Sequence, residues 1–341
     1  MKKKVLETIK KYNLIEDGDK VVVAVSGGPD SITMLDILNE IKNEKIIDFE
    51  ISVAHINHMI REEAKLDELY VKNYCEEKNI DFYSKSIDVL KLANNNKTGT
   101  EEMGRIVRYK FFDEVLEKTG SNKVSIAHNK NDKAETMIMN ILRGSGISGL
   151  KGIEPKRGKY IRPLIECERY EIENYCKEKN LNPRIDKTNF DNTYTRNKIR
   201  NIVIPYIKQE FNPNIINTLS RLSELVVEED DYIENKVKEV YETLLIKENK
   251  KEIILDLKKF NEEEKVIKSR IVLYTITRLL GNCQGIGKVH IEDIIKLCSN
   301  NIGNKFLTPN KNIKILVKNH KIYFLSEIWV AVTNYVKHAS L

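Results

Sequence analysis

A run of β-branched residues, Val21 to Val25, is followed by Ser26-Gly27-Gly28-Pro29-Asp30-Ser31 and then by apolar residues at helical spacing from Ile32. Glycines let backbone N–H groups approach an oxyanion with no Cβ in the way. A helix starting there adds unpaired N–H groups and the positive end of its dipole. Together they make a phosphate cradle. Ser26 and Ser31 contribute hydroxyls, and Asp30 a carboxylate that can hold Mg²⁺ against bound phosphates. The loop lacks the Gly-Lys-Ser/Thr ending of a Walker A loop and the Gly-x-Gly-x-x-Gly spacing of a dinucleotide fingerprint. A bare Ser-Gly-Gly would read as a helix-capping turn. The whole string after an apolar strand reads as a nucleotide site.

Further polar groups follow in order. His55-Ile56-Asn57-His58, then Arg61, closes a second apolar run. Two histidines without a third ligand make a poor zinc site, so they either orient a ligand or pack. Glu101, Arg105 and Arg108 share a helix face. They form either a solvated ion-pair ladder or, through the arginines, contacts to phosphate and developing negative charge. His128 stands just past a strand's carboxyl end, where open parallel sheets bind ligands. Asp132 and Glu135 lie on one face of the next helix, able to hold an ammonium group or a cation, or to cap the helix. Arg143 opens a glycine-rich stretch, Gly144 to Gly158. Arg196 and Arg200, four apart, either face RNA phosphates or lie plainly on the surface.

The elements that must carry these groups alternate. Strands are expected at 21–25, 49–56, 81–87 and 123–127, and helices at 32–41, 62–78, 101–118 and 132–142. That order implies βαβ units: a doubly wound parallel α/β sheet with helices on both faces. Helix returns at 169–179, and 180–195 reads as a polar loop. From 214 the chain is mainly helical (214–247, 262–280, 289–299) and ends in short strands near 306, 313–317 and 322–325. The expected domains are 1–210 for the nucleotide site, 211–325 as a second domain, and 326–341 as a tail.

The chain has 341 residues, 41% hydrophobic and 32% charged, enough for a globular core and more than one average domain. No run approaches a membrane span. The N-terminal MKKKVLETIKKYNLIEDGDK reads as an amphipathic helix rather than a signal peptide, so a cytoplasmic protein is expected. Five scattered cysteines, Cys75, Cys167, Cys176, Cys283 and Cys298, include no Cys-x-x-Cys. That argues against a disulfide framework, a zinc knuckle or a cluster site. The net charge of +6 admits a polyanionic partner without demanding one.

The loop resembles that of the PP-loop ATP pyrophosphatases, which cleave ATP between the α and β phosphates and activate a carbonyl oxygen as an adenylate. More blocks follow in order. These are Ala127-His128-x-x-x-Asp132-x-Ala134-Glu135-Thr136, Arg143-Gly144-Ser145-Gly146-Ile147-x-Gly149-Leu150, Ile161-Arg162-Pro163-Leu164, Asp186-x-x-Asn189, and Arg196-Asn197-x-Ile199-Arg200 with Pro205. The series looks like the tRNA(Ile)-lysidine synthetases, densely over 18–210 and loosely beyond. The resemblance implies ATP and Mg²⁺ as cofactors, free L-lysine and a CAU-anticodon isoleucine tRNA as partners, and a tRNA-binding second domain. In that reading ATP adenylates C2–O of the wobble cytidine, and the unprotonated ε-amine of lysine displaces AMP. A nearby carboxylate, Asp132 or Glu135, takes the proton. The resemblance places Ser26 to Ser31, His55 and His128 at the nucleotide. Asp30, Arg105, Arg108, Asp132, Glu135 and Arg143 would serve the chemistry, and Arg196 and Arg200 the RNA. The assembly is left open, a homodimer included.

Asn129 stands where relatives often carry a second histidine. Many relatives also have a further C-terminal domain, and 326–341, with Trp329, matches nothing in the family pattern. Two other readings compete. A thiolase of the same superfamily would need paired cysteines, and an amidotransferase a nucleophilic one or a partner subunit. A non-catalytic ATP-dependent RNA-binding module is disfavoured by Asp30, Asp132, Glu135 and Arg143 all being present.

Overall fold

A computed structural model describes residues 1–59, 64–184, 191–300 and 305–327. Arg61, Asp186, Asn189 and residues 328–341, with Trp329, therefore lie outside the described residues. The chain divides into two compact units, Met1–Val226 and Val227–Leu341. The division falls later than residue 210, inside a long helix.

The first unit contains α1 (Lys2–Lys11), β1 (Lys20–Ala24), α2 (Pro29–Asn43), β2 (Glu50–Asn57), α3 (Ala64–Glu77) and β3 (Asp81–Ser86). It continues with α4 (Val89–Asn96), α5 (Thr100–Thr119), β4 (Lys123–Ser125), α6 (Lys130–Leu142), α7 (Ile147–Leu150), β5 (Lys156–Arg157), β6 (Tyr160–Ile161) and α8 (Arg169–Glu178). Next, α9 (Thr195–Lys198) passes through a π-helical turn, Ile199–Val203, into α10 (Ile204–Glu210), and α11 (Ile215–Leu244) crosses into the second unit.

The sheet order is β3-β2-β1-β4-β6-β5. β1 is parallel to both β2 and β4, β2 to β3, and β4 to β6, while β5 runs antiparallel at the edge. Val21, Val22 and Val23 are fully buried, which is why that run is continuous rather than alternating. Apolar residues of α1, α2, α3 and α8 cover one face of the sheet. Phe111, Phe112 and Val115 of α5 cover the other, on Val22, Ala54 and Val124. The doubly wound expectation therefore holds. The chain leaves β1 toward β2 and later returns to β1's other side as β4, so the crevice between the carboxyl ends of β1 and β4 is the topological switch point.

The π turn has a local cause. Pro205 has no N–H and its ring clashes with the carbonyl four residues back. The helix absorbs this by widening, and the N–H of Ile204 bonds the carbonyl of Ile199. Ile199 and Ile204, five apart, then both pack on Ala134, Met137 and Ile138 of α6.

In the second unit, β7 (Leu245–Glu248), β8 (Glu252–Asp256), α12 (Leu257–Glu262), α13 (Lys265–Leu280) and α14 (Lys288–Ser299) precede β9 (Lys305–Asn310), β10 (Ile313–Lys318) and β11 (Lys321–Ser326). Its antiparallel sheet runs β7-β8-β11-β10-β9. Ile253, Leu255, Ile313, Ile315, Ile322 and Phe324 share a core with Phe260, Ile271, Ile276 and Ile294 from the helices. The expected three strands are present, with two more: the β7–β8 hairpin begins where continued helix was expected. Its turn is set by Asn249, whose Oδ1 accepts from Lys251 N at 2.8 Å and Glu252 N at 3.0 Å.

Candidate active site

The loop Ser26–Ser31 joins β1 to α2 at the switch point. Gly27 has φ of +92°, a conformation that costs glycine little and other residues much. Gly28 caps α2 in extended conformation and Pro29 takes the first turn. The loop is braced by its own serines: Ser31 Oγ accepts from Ser26 N at 3.1 Å and donates to Gly28 O at 3.0 Å. Ser26 Oγ lies 3.1 Å from Ser31 Oγ. The first turn of α2 thus presents its N–H groups and Asp30 at the mouth of the crevice.

Across the crevice, α6 begins at the carboxyl end of β4. Asn129, fully buried, caps it: Asp132 N donates to Asn129 Oδ1, and Asn129 N donates to Asp132 Oδ2, both at 3.0 Å. The Asn129 amide also donates to Asp30 Oδ1 at 2.9 Å. One side chain therefore ties the phosphate loop to the α6 carboxylate. Comparison with the family pattern alone assigns position 129 no role. Asn three residues before Asp at a helix start was the signal.

Asp132 and Glu135 form an ionic cluster with two arginines. Arg200 Nε donates to Glu135 Oε1 at 2.6 Å, and its Nη2 to Asp132 Oδ1 at 2.9 Å. Arg196 Nε donates to Glu135 Oε2 at 2.9 Å and Nη2 to Asp132 Oδ1 at 3.2 Å. Arg169 stands 4.0 Å from Asp132. Arg196 and Arg200, whose spacing suggests either RNA phosphates or a plain surface position, are paired here with Asp132 and Glu135. The physical reason is burial: Glu135 is 1% exposed, and a carboxylate so placed requires paired, hydrogen-bonded cations.

The charges act on one another. Burial pushes Asp132 up, but Arg196, His128 and Arg200 outweigh it and hold the carboxyl below its usual range. Asp30 goes the other way. Burial, then the Asp132 charge, pushes it up to about 6.

A second group is built around arginines, with Glu101 acting on Arg108 and Asp132 on His128. Arg105 lies over the Tyr109 ring, 4.7 Å from its centroid. Arg108 Nη2 is 3.4 Å from His58 Nε2, and burial with the Arg108 charge lowers His58 to about 4. Arg162 Nε donates to His128 Nδ1 at 3.1 Å. Arg162 belongs to the Ile161-Arg162-Pro163-Leu164 block, to which the sequence alone assigns no role. Arg143 is not brought to either group. It caps the far end of α6, exposed, about 16 Å along the helix from Asp132 at 1.5 Å per residue.

His55, at the carboxyl end of β2, has Nδ1 2.9 Å from Val25 O. A carbonyl accepts only, so Nδ1 carries the proton and Nε2 is an acceptor. Burial holds the ring's pKa down. Nε2 is buried without a hydrogen-bond partner among the described residues. No three His, Cys, Asp or Glu gather in metal-ligating geometry among the described residues. Cys75, Cys167, Cys176 and Cys298 are buried free thiols and Cys283 is exposed.

A family model described as a PP-loop domain matches residues 1–207. The tRNA(Ile)-lysidine synthase of Clostridioides difficile is 44% identical over 326 residues, covering 95% of this chain and 70% of the relative. That of Clostridium acetobutylicum is 46% identical over 308 residues, covering 90% and 66%. That of Caldanaerobacter subterraneus is 44% identical over 310 residues, covering 91% and 66%. The chain thus spans about two thirds of the length of these relatives. Among solved structures, a U34-tRNA thiolase from Methanococcus maripaludis with a 4Fe–4S cluster shares the fold. Its TM-score is 0.56 at 22% identity, over 67% of this chain and 77% of that one. Loop, switch-point crevice and relatives agree: the chain belongs to the tRNA(Ile)-lysidine synthase family of PP-loop proteins.

Proposed function

We propose that this chain ligates free L-lysine to C2 of the wobble cytidine of a CAU-anticodon isoleucine tRNA, consuming ATP. The observation that carries this reading is the mixed-sign cluster of Asp132, Glu135, Arg196 and Arg200 beside a phosphate cradle. An amino acid with a cationic side chain needs carboxylates for its ammonium groups and guanidiniums for its carboxylate. The cluster offers both, and lysine would take over part of the pairing that the four residues now satisfy among themselves.

In the first step the C2 oxygen of cytidine attacks the α-phosphorus and pyrophosphate leaves. The loop N–H groups, Ser26 and Ser31 bind the phosphates. Arg105, Arg108 and a neutral, donating His128 face the charge that develops on the leaving group. The acceptor Nε2 of His55 takes a hydrogen bond from an amino or hydroxyl group of the nucleotide. In the second step the lysine ε-amine forms a bond to C2, AMP departs with the oxygen, and the proton released from the nitrogen passes to a nearby carboxylate, Asp132 or Glu135. Asp132, held ionised by its cations, serves to fix the amine. Glu135, equally paired, shares that task.

Mg²⁺ fits the residues present. Asp30 carries a carboxyl crowded by Asp132, a repulsion that a bound cation relieves. Mg²⁺ takes one or two carboxylates plus phosphate oxygens rather than an all-protein cage. When bound it neutralises phosphate charge. The cytidine must be splayed out of its loop to reach the crevice, as single-stranded RNA allows. Arg143, exposed at the end of α6, contacts RNA rather than the reacting atoms, and the second unit grips the tRNA.

A thiolase reading lacks support here: sequence similarity favours the lysine ligases, and no paired cysteines exist. The test is incubation with ATP, labelled lysine and isoleucine tRNA transcript. Label should enter the RNA only with ATP and only with cytidine at the wobble position. ATP binding without incorporation would overturn the assignment.

A further inference from the structure

Arg162 follows β6 and is 6% exposed. A guanidinium taken so far from water normally pairs with a carboxylate. This one does not. Its Nε donates to His128 Nδ1 at 3.1 Å and its Nη1 to the Glu154 carbonyl at 2.7 Å. Tyr109 lies beside it. Among the described residues no acid side chain is within ion-pair distance, although three other arginines close by take Asp132 and Glu135. The fold thus spends a buried cation on a histidine nitrogen.

The chemistry of that contact has one outcome. A guanidinium has donors only and is always protonated. Its partner nitrogen must therefore be an acceptor, so Nδ1 cannot carry a proton. The proton of neutral His128 is then confined to Nε2. The ring can donate there, to a phosphate oxygen or a developing oxyanion, but cannot accept. We infer that Arg162 is a positioning residue that locks His128 as a neutral Nε2–H donor and bars it from acting as a base. The catalytic consequence rests on the function proposed above; the tautomer does not.

The surroundings agree. The groups facing His128 are Arg162, Asp132 of α6, Arg196 of α9 and Arg105 of α5. Burial lowers its pKa most; Asp132 opposes this and the three arginines add to it, leaving the ring at about 4. The backbone holds the residue by His128 N donating to Ile126 O at 2.9 Å.

The test is ¹⁵N-histidine NMR of the whole chain without ligands, with His128 assigned by loss of its signals in H128Q. Long-range ¹H–¹⁵N correlations should show the neutral Nε2–H form from pH 5.5 to 8. In R162M the ring should show mixed tautomers and titrate at higher pH than in wild type. Turnover should fall about tenfold or more with little change in the KM for lysine, and should gain an acid limb between pH 5 and 7. R162K, with one donor left for Nδ1, should restore part of the tautomer bias. An Nδ1–H or cationic His128 in the wild type would overturn the inference, and that measurement stands even if R162M does not fold. So would an R162M protein with wild-type tautomer and pH profile and merely lower activity. A correct tautomer in a protein that attaches no lysine would sink the proposed function and leave the Arg162 assignment standing.

Discussion

The Asn129 amide donates to Asp30 Oδ1 at 2.9 Å while its carbonyl oxygen caps the helix that carries Asp132 and Glu135. The cap and the bridge can be separated. N129S keeps a capping oxygen and loses the amide; N129A loses both. N129A should unfold with about 1 kcal/mol less stability, the usual effect of losing a cap, and N129S with little change. Both should lower pyrophosphate release in the presence of tRNA and lysine. Urea titrations set against turnover check this; equal activity in wild type and N129S would show that the bridge to Asp30 is idle.

Asp30 should set a pH dependence. Its carboxyl is raised to about 6 in the folded protein against about 4 unfolded. The folded state therefore holds the proton more tightly. Stability from this group is fully present below about pH 4 and is lost as pH rises through 6. D30N, which cannot ionise, should be more stable than wild type at pH 7.5 by about 2–3 kcal/mol and equal to it near pH 4, while losing activity. Added Mg²⁺ with ATP should raise the wild-type melting temperature and leave that of D30N almost unchanged.

Removing one partner from the buried cluster should cost more than removing two. R200M leaves Glu135 paired with Arg196 alone and should cost about 1–3 kcal/mol. The double variant R200M/E135L should recover part of that. A double-mutant cycle in denaturant measures the coupling; additive effects would mean the pair contributes nothing to stability. E135Q should raise the KM for lysine more than the KM for ATP.

His55 should read the nucleotide by accepting a hydrogen bond. Wild type should discriminate about tenfold or more against an ATP analogue lacking either the 6-amino group or the 2′-hydroxyl, because a buried acceptor is then left unpaired. H55A should lose discrimination against one of the two. Unchanged ratios for both analogues would remove His55 from the nucleotide site.

Much of this was legible in the sequence, unevenly. The loop could be read because its chemistry is local: glycine, serine and a helix start lie within six residues. The parallel sheet could be read because Val21–Val25 and 49–56 are long apolar runs between turns. Arg196 and Arg200 could not be placed. Four-residue spacing says that two side chains share a face, not what the face meets, and their partners lie more than sixty residues earlier. Asn129 was discounted by comparison with a family pattern, although its capping spacing to Asp132 was on view. The β7–β8 hairpin was hidden because Leu245, Ile246 and Lys247 extend the apolar rhythm of α11 without a glycine or proline to end it.

Ile199 and Ile204 are five residues apart and both lie on α6. In a regular helix, at about 100° per residue, a five-residue step would turn the second about 140° away from the first. The widened turn before Pro205 is therefore equivalent to one surplus residue that the helix stores without losing its seat. It also fixes which side of Pro205 is free to vary: the segment bearing Arg196 and Arg200 keeps its phase with Glu135, and any change in length must be absorbed inside Ile199–Val203. A single-residue deletion there should return the segment to regular α-helix with Arg196 and the exposed Tyr206 keeping their relative orientation, whereas a deletion elsewhere between them should rotate Tyr206 by about 100° relative to Arg196. Lengthening the helix by one residue elsewhere would have no such reservoir to draw on.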